Sequence, residues 1–188
     1  MKIKLNSGFT LIELLTVIAI IAILAGLLLT GVANAKKKAI ITAAQIEIKN
    51  LVGAITKYEA EYNRYPCPTN AVDDATFGLT DKKNAAIIDI LRDRDTENNP
   101  NHSRNPRRIV FIEPKLTSST DAPGVGPDGT WRDPWVNAYI ISIDYNYDNE
   151  TKDAQYGTLP VSVAVWSMGP NGKPGDEDDV KSWTQSKH

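Results

Sequence analysis

Four acidic residues, Asp176-Glu177-Asp178-Asp179, stand together near the end of the chain, just after Gly172, Pro174 and Gly175 impose tight turns. Crowded carboxylates repel one another unless water or a cation neutralises them. Hard oxygen donors of this kind, with carbonyls freed by the turns, suit Ca²⁺; the competing reading is a solvated acidic loop. A second acidic stretch, Asp144-Tyr145-Asn146-Tyr147-Asp148, begins like an EF-hand loop, with acids or amides at its first, third and fifth positions. Its sixth position is Asn149 and its twelfth is Gln155, where that loop needs Gly and Glu, so it reads as a polar turn. A third carboxylate is out of place. Glu13 sits inside the apolar run that starts at Phe9, where a charge is costly and needs compensation.

Other reactive side chains offer less. The lone Cys67 allows no internal disulfide, and between Pro66 and Pro68 it reads as a structural thiol in a rigid turn. His102 lies in the polar stretch Thr96–Arg107 without a candidate partner and reads as a solvated loop histidine. No nucleophile is paired with a base, and neither a phosphate loop nor zinc spacing occurs, so an enzyme is not expected. The formal net charge of -2 gives no case for nucleic-acid binding, and Lys36-Lys37-Lys38 and Arg107-Arg108 read as local features.

These residues must be positioned by two unlike parts of the 188-residue chain. From Leu14 to Val32 no residue is charged, a length close to the ~20 residues that span a bilayer. No proline occurs before Pro66, and Ile41, Ala44, Ile48, Leu51, Ile55, Tyr58 and Tyr62 recur at spacings of three and four. One helix is therefore expected from about Phe9 to Tyr62, with an apolar first half and an amphipathic second half, ended by Pro66 and Pro68. A short helix is expected over Asn84–Arg92, capped by Thr80 or Asp81. Strands are expected at Arg108–Ile112, Ala138–Asp144 and Pro160–Trp166, joined in a three-stranded antiparallel sheet packed on the amphipathic half-helix. Tyr145–Gly157, between the last two, reads as long and polar.

Three readings compete for the N-terminus. Lys2, Lys4 and Ala33-Asn34-Ala35 fit a cleaved secretory signal, but the apolar stretch is too long for one. A plain membrane anchor fits the length and leaves Glu13 unexplained. A cut after Gly8 explains it: Phe9 becomes the new N-terminus and its free amine needs an opposite charge, as does Glu13. The pair is spaced i, i+4 within one helix, and between staggered copies it would fix their register.

Gly8-Phe9-Thr10-Leu11-Ile12-Glu13, followed by the apolar run, resembles the processing site of type IV prepilins and type II secretion pseudopilins. In that family a membrane peptidase cuts after the glycine and methylates the new amine. Asp133-Pro134-Trp135, Ser167-Met168-Gly169-Pro170-Asn171-Gly172 and Asp178-Asp179-Val180 resemble the tail of the major pseudopilins, whose loop binds calcium. The resemblance implies as ligands the Met168 carbonyl, the Asn171 side chain and Asp178, with Asp176, Asp179 and the Val180 carbonyl beside them. Asn171 stands where that family more often has Asp.

The resemblance implies a type IV pilin-like α+β fold: a leader over 1–8, a transmembrane and fibre-core half-helix over 9–33, an amphipathic half over 34–65, and a head over 66–188. It implies a structural subunit of the type II secretion pseudopilus, with Gly8 and Phe9 at the processing site and Phe9 and Glu13 in assembly. Its expected partners are further copies of itself, minor pseudopilins, the prepilin peptidase and an inner-membrane assembly platform, with no nucleic acid. The expected location is the inner membrane, single-pass, with head and fibre in the periplasm. The alternatives are a type IV pilus pilin and a membrane-anchored periplasmic binding module that never polymerises.

Overall fold

The structure, a computed structural model, describes residues 9–183, so the leader expected over 1–8, with Gly8, lies outside the described residues. The helix expected from the sequence is α1, Leu11–Tyr62, 52 residues long. The chain divides into two compact units, Met1–Ile40 and Ile41–His188. In the first, the apolar side chains of α1 are exposed: Leu11 is 81% exposed and Ile23 65%. This part of α1 is long and apolar enough to cross a membrane.

In the second unit, the 3.6-residue period of α1 puts Ala44, Ile48, Leu51, Ile55 and Tyr58 on one fully buried face, as the spacing predicts. Burying each large aliphatic side chain contributes about 1.5–3 kcal/mol, so this face is one substantial part of the core of the head. The helix ends before the prolines: Asn63 adopts φ +51°, a left-handed stop that Asn tolerates.

The remaining elements, in chain order, are β1 (Ala75–Phe77), α2 (Ala85–Leu91), β2 (Gly124–Val125), β3 (Trp131–Arg132), β4 (Ile140–Ile143), β5 (Thr151–Asp153), β6 (Gly157–Leu159), β7 (Val163–Ser167) and β8 (Val180–Lys181). A four-stranded antiparallel sheet runs in the order β1-β4-β7-β8, and β2-β3 and β5-β6 form separate hairpins. Ile141, Ile143 and Val165 belong to the core that includes the buried face of α1. The alternate residues Ser142 and Trp166 turn to the other side of the sheet, where Asp153 on β5 accepts both the Ser142 hydroxyl (2.7 Å) and the Trp166 indole N–H (2.9 Å). The result is the pilin-like α+β arrangement, a long N-terminal helix packed on a small antiparallel sheet.

Four details depart from the sequence reading. Arg108–Ile112 is not a strand. Arg108 has φ +57°, the Ile109 amide bonds the Asn105 side chain (3.1 Å), and the Phe111 amide bonds Leu91 O at the end of α2 (2.8 Å). The Phe111 ring packs edge-on against Tyr58, so Phe111 rests on a helix rather than in a sheet. The sheet instead gains β1 and β8, and the polar stretch after Tyr145 folds into the β5-β6 hairpin. The boundary residue of α2 is Asn84, not Thr80 or Asp81. The Asn84 amide does not cap the helix; it donates to Trp131 O and Tyr139 O and accepts from the Trp131 amide, tying α2 to β3 and β4. Lastly, His102 is not merely solvated: its Nδ1 lies 2.6 Å from Asp93 Oδ1, and Asp93 also meets Arg108 Nε at 3.3 Å.

Candidate functional site

Glu13 closes the first turn of α1. The Thr10 amide and hydroxyl both donate to Glu13 Oε2 (2.8 and 2.6 Å), and the Glu13 amide donates back to Thr10 Oγ1 (3.3 Å). This is the reciprocal Thr-x-x-Glu capping box, which satisfies two of the orphan N–H groups of a helix start. The signal stands in the sequence as Thr10-Leu11-Ile12-Glu13, and a search for a compensating charge passes over it. Glu13 Oε1 takes no hydrogen bond among the described residues. Phe9, directly before the box, is 78% exposed. A carboxylate can thus cap its own helix and still offer an oxygen to a cation beside it.

The acidic loop is built from both ends. On its N-terminal side the β3–β4 turn carries Asp133, which is fully buried. Asp133 Oδ1 accepts the Trp135 and Asn137 amides (2.9 Å each), while Oδ2 accepts the Ser167 hydroxyl at the end of β7. Burial raises the Asp133 pKa against the pull of these hydrogen bonds. Ser167 Oγ in turn accepts the Gly169 amide (3.0 Å), and the Asn137 side chain donates from Nδ2 to Gly169 O (2.9 Å). Gly169 has φ +64°, and a Cβ there would lie 2.3 Å from the Asp178 carbonyl, so only glycine lets the two sides of the loop meet. Met168 immediately precedes the short 3₁₀ turn Gly169–Asn171. On the C-terminal side Val180 starts β8 opposite Ser167.

Between these fixed ends, Asp176, Asp178 and Asp179 each bring one carboxylate oxygen to within 4.8 Å of the others. Asn171 joins them: its Nδ2 donates to Asp176 Oδ2 (2.6 Å) and Asp178 Oδ1 (2.9 Å). The hydrogen bond between Asp176 and Asp178 pushes the Asp178 pKa up and the Asp176 pKa down, the signature of two carboxylates sharing one space. Asp179 Oδ2 accepts the Tyr156 hydroxyl and the Gly175 amide (2.8 Å), but its Oδ1 is buried without a hydrogen-bond partner. A buried, unpartnered carboxylate oxygen beside two more carboxylates fits a hard divalent cation. Asp144, in the rival stretch, is differently engaged, since its two oxygens accept the Tyr147 (2.6 Å) and Asn149 (2.9 Å) amides of a polar turn.

Of the residues singled out in the sequence, the structure brings Asn171, Asp176, Asp178 and Asp179 together. It places Met168 and Val180 at the two ends of the loop, and sets Phe9 beside the Thr10–Glu13 cap. Asp133, Ser167, Asn137 and Tyr156, which shape the loop, are not found by reasoning on acidic clusters.

The prokaryotic N-terminal methylation motif family matches residues 3–29. Over 183 residues the chain is 27% identical to type II secretion system core protein G of Aeromonas hydrophila, covering 97% of this chain and 96% of that protein. Over nearly its whole length this chain is similar to core protein G. The protein of the same name from Pectobacterium carotovorum is 28% identical over 184 residues (96% of this chain, 86% of that protein), and that of Escherichia coli K12 is 26% identical over 180 residues (96% and 92%). No solved structure matches. The likeness to these proteins runs through the head as well as through the N-terminal motif, and the apolar start of α1 fits a membrane-anchored protein.

Proposed function

We propose that the chain is a structural subunit of the type II secretion pseudopilus. A peptidase cuts it after Gly8 and methylates the Phe9 amine. Copies then leave the inner membrane to form a short helical fibre in the periplasm that helps move proteins across the outer membrane. Its partners on this reading are other copies, minor pseudopilins, the peptidase and the inner-membrane assembly platform. The observation that carries the reading is Glu13, the acid at the start of an exposed apolar helix, with Oε1 left over after the helix is capped. The Phe9 amine of a neighbouring copy is a fitting partner, and that pairing sets the axial stagger of the helices.

Mass spectrometry of the mature protein should find methylated Phe9 at the N-terminus, and Glu13→Ala should insert in the membrane yet yield few or no fibres. A mature chain beginning at Lys36, or normal fibre yield from Glu13→Ala, would refute this function. Cross-links between copies within residues 9–30 separate a fibre subunit from an anchored binding module.

We further propose that the acidic loop holds Ca²⁺ through Asp176, Asp178 and Asp179. The Asn171 side chain and the Met168 and Val180 carbonyls are the further donors that the resemblance implies. The ion would supply the positive charge that the crowded carboxylates lack, and the buried Asp179 Oδ1 supports the assignment.

A further inference from the structure

The head contains a cavity of about 780 Å³ that none of the functions above uses. It opens between β1, α2 and the Gly126–Gly129 turn, and its volume lies within the range of small-ligand sites, about 300–1,000 Å³. Its inner wall is apolar: Phe77 and Ala85 are 4% and 5% exposed, and Ala86 lies beside them. Gly129, at φ +74°, has room for no side chain without crowding Ala85, whose Cβ lies 3.1 Å from where its own would be. The turn can thus close down on α2.

The charges around this wall are unequal in their engagement. Asp128 is taken up by Arg132, which holds both its oxygens (3.0 and 2.8 Å). Once that pair is set aside, four cations, Lys82, Lys83, Arg92 and Arg94, face three acids, Asp81, Asp89 and Glu97. Asp89 Oδ2 already accepts the Thr96 hydroxyl (3.0 Å) and the Asn98 amide group (2.9 Å). Lys82 Nζ stands 5.9 Å over the Phe77 ring. Arg92, at the C-terminal boundary of α2, is partly buried, and its guanidinium makes no ion pair or hydrogen bond among the described residues. Burial, with Arg94 nearby, lowers its pKa against the opposite pull of the Asp89 carboxylate, which makes no hydrogen bond to it. A guanidinium that has given up part of its water and gained no acceptor is set for an anion from outside, and a carboxylate matches its two-pronged donor geometry. The three acids disfavour a dianion such as a phosphate ester, whereas one negative charge balances the surplus of one cation.

We propose that this cavity binds a carboxylate carried on an apolar body, with Arg92 anchoring the anion and the Phe77–Ala85–Ala86 wall taking the apolar part. A free acid and an acidic side chain beside an apolar one in a peptide share that chemistry. The test uses the ¹⁵N-labelled full-length chain in detergent micelles, titrated with 3-phenylpropionate, with the blocked peptide Ala-Phe-Glu, and with its Ala-Phe-Gln counterpart. The expected result is that at least one carboxylate probe shifts the amides of Phe77, Ala86 and Gly129. The Gln peptide should bind at least tenfold more weakly than the Glu peptide if the peptide is the probe that binds. Arg92→Gln should weaken the binding carboxylate probe by at least tenfold, about 1.4 kcal/mol, while leaving the rest of the spectrum in place. Which carboxylate probe binds tells whether the natural ligand is a free acid or a peptide. The proposal is overturned if neither carboxylate probe moves those amides at millimolar concentration. It is also overturned if the Gln peptide binds as well as the Glu peptide, or if Arg92→Gln binds as well as the parent. The peptide comparison is made on the unaltered protein, so it holds even if Arg92→Gln fails to fold.

Discussion

Asp133 offers the sharpest test of how the head holds its acidic loop. Replacing it with Ala removes the acceptor of three donors at once: the Trp135 and Asn137 amides and the Ser167 hydroxyl. An orphaned buried donor costs about 1–3 kcal/mol. Ser167 is fully buried and carries the largest single share of that penalty, roughly 2 kcal/mol. Trp135 and Asn137 are half-buried, so water can reach their amides, and about 1 kcal/mol each is a fair allowance. Removing a carboxylate whose pKa burial has raised returns a part of this. The expected cost of Asp133→Ala is therefore about 3–4 kcal/mol, a large fraction of the ~5–15 kcal/mol of an ordinary domain. Asp133→Asn keeps an oxygen for the two amides and misdirects only the contact with Ser167, so it should cost about 1–2 kcal/mol.

Urea denaturation of the full chain in detergent, followed by tryptophan fluorescence, measures both variants, because Trp131, Trp135, Trp166 and Trp183 all lie in the head. The pH dependence adds a signed check. The folded-state pKa of Asp133 is raised, so its favourable contribution is present below the unfolded pKa and is lost as pH rises through the folded value. Asn does not titrate, so the penalty of Asp133→Asn should shrink as pH rises from the unfolded carboxylate pKa to the raised folded one. If Asp133→Ala unfolds within 1 kcal/mol of the parent, or if Asp133→Asn costs as much as Asp133→Ala, the hydrogen-bond account of this turn is wrong.

Two further outcomes can be checked on the same protein. Calcium should raise the melting temperature relative to chelator, with about 2.7 kcal/mol of stabilisation when the free ion is at 100 times Kd. Asp178→Ala should abolish most of that shift and Asp148→Ala should leave it, while magnesium should substitute poorly because it gives up water reluctantly; equal melting in calcium and chelator refutes the site. The Arg132 guanidinium on both oxygens of Asp128 holds its carboxyl well below the usual carboxylate range. The stability from that pair is present above the unfolded carboxylate pKa and is lost as pH falls toward the folded one. Asp128→Asn should therefore flatten the acid limb of the stability curve, and an unchanged limb would show that solvent screening cancels the pair.

What could be read from the sequence followed the length of the signal. The stripe of α1 repeats over some twenty residues, so period and burial agree from Ala44 to Tyr58. The strands β4 and β7 carry runs of β-branched residues, whereas β1 and β8 are three and two residues long and show no alternation that could announce them. Arg108–Ile112 has the composition of a strand, but Asn105 and Leu91 claim its amides, and those partners are set by tertiary packing. The acidic loop was visible as composition. Asp133 and Ser167 stood in the motifs that carry the resemblance, but their contact was not legible, because they lie 34 residues apart and a buried aspartate looks like an exposed one in a sequence. The capping box at Thr10–Glu13 is legible in the sequence as Thr-x-x-Glu at the start of an apolar run.

The two carboxylate features share one physical design. At the helix start, two donors from Thr10 fix Glu13 through a single oxygen. In the loop, the Tyr156 hydroxyl and the Gly175 amide fix Asp179 through Oδ2 while Oδ1 stays without a partner. In both, the side chain is ordered by neutral donors from its own chain before any cation arrives, so the rotamer entropy that binding would otherwise cost has already been lost on folding. The loop goes further. Asp133, Ser167 and Asn137 hold Gly169, and the β7–β8 pairing holds Val180, so both ends of the acidic segment are set. On the proposed reading, a divalent ion would offset the repulsion among Asp176, Asp178 and Asp179 that these neutral donors only moderate. A loop prepared in this way should gain stability from the ion while the fold of the head stays the same.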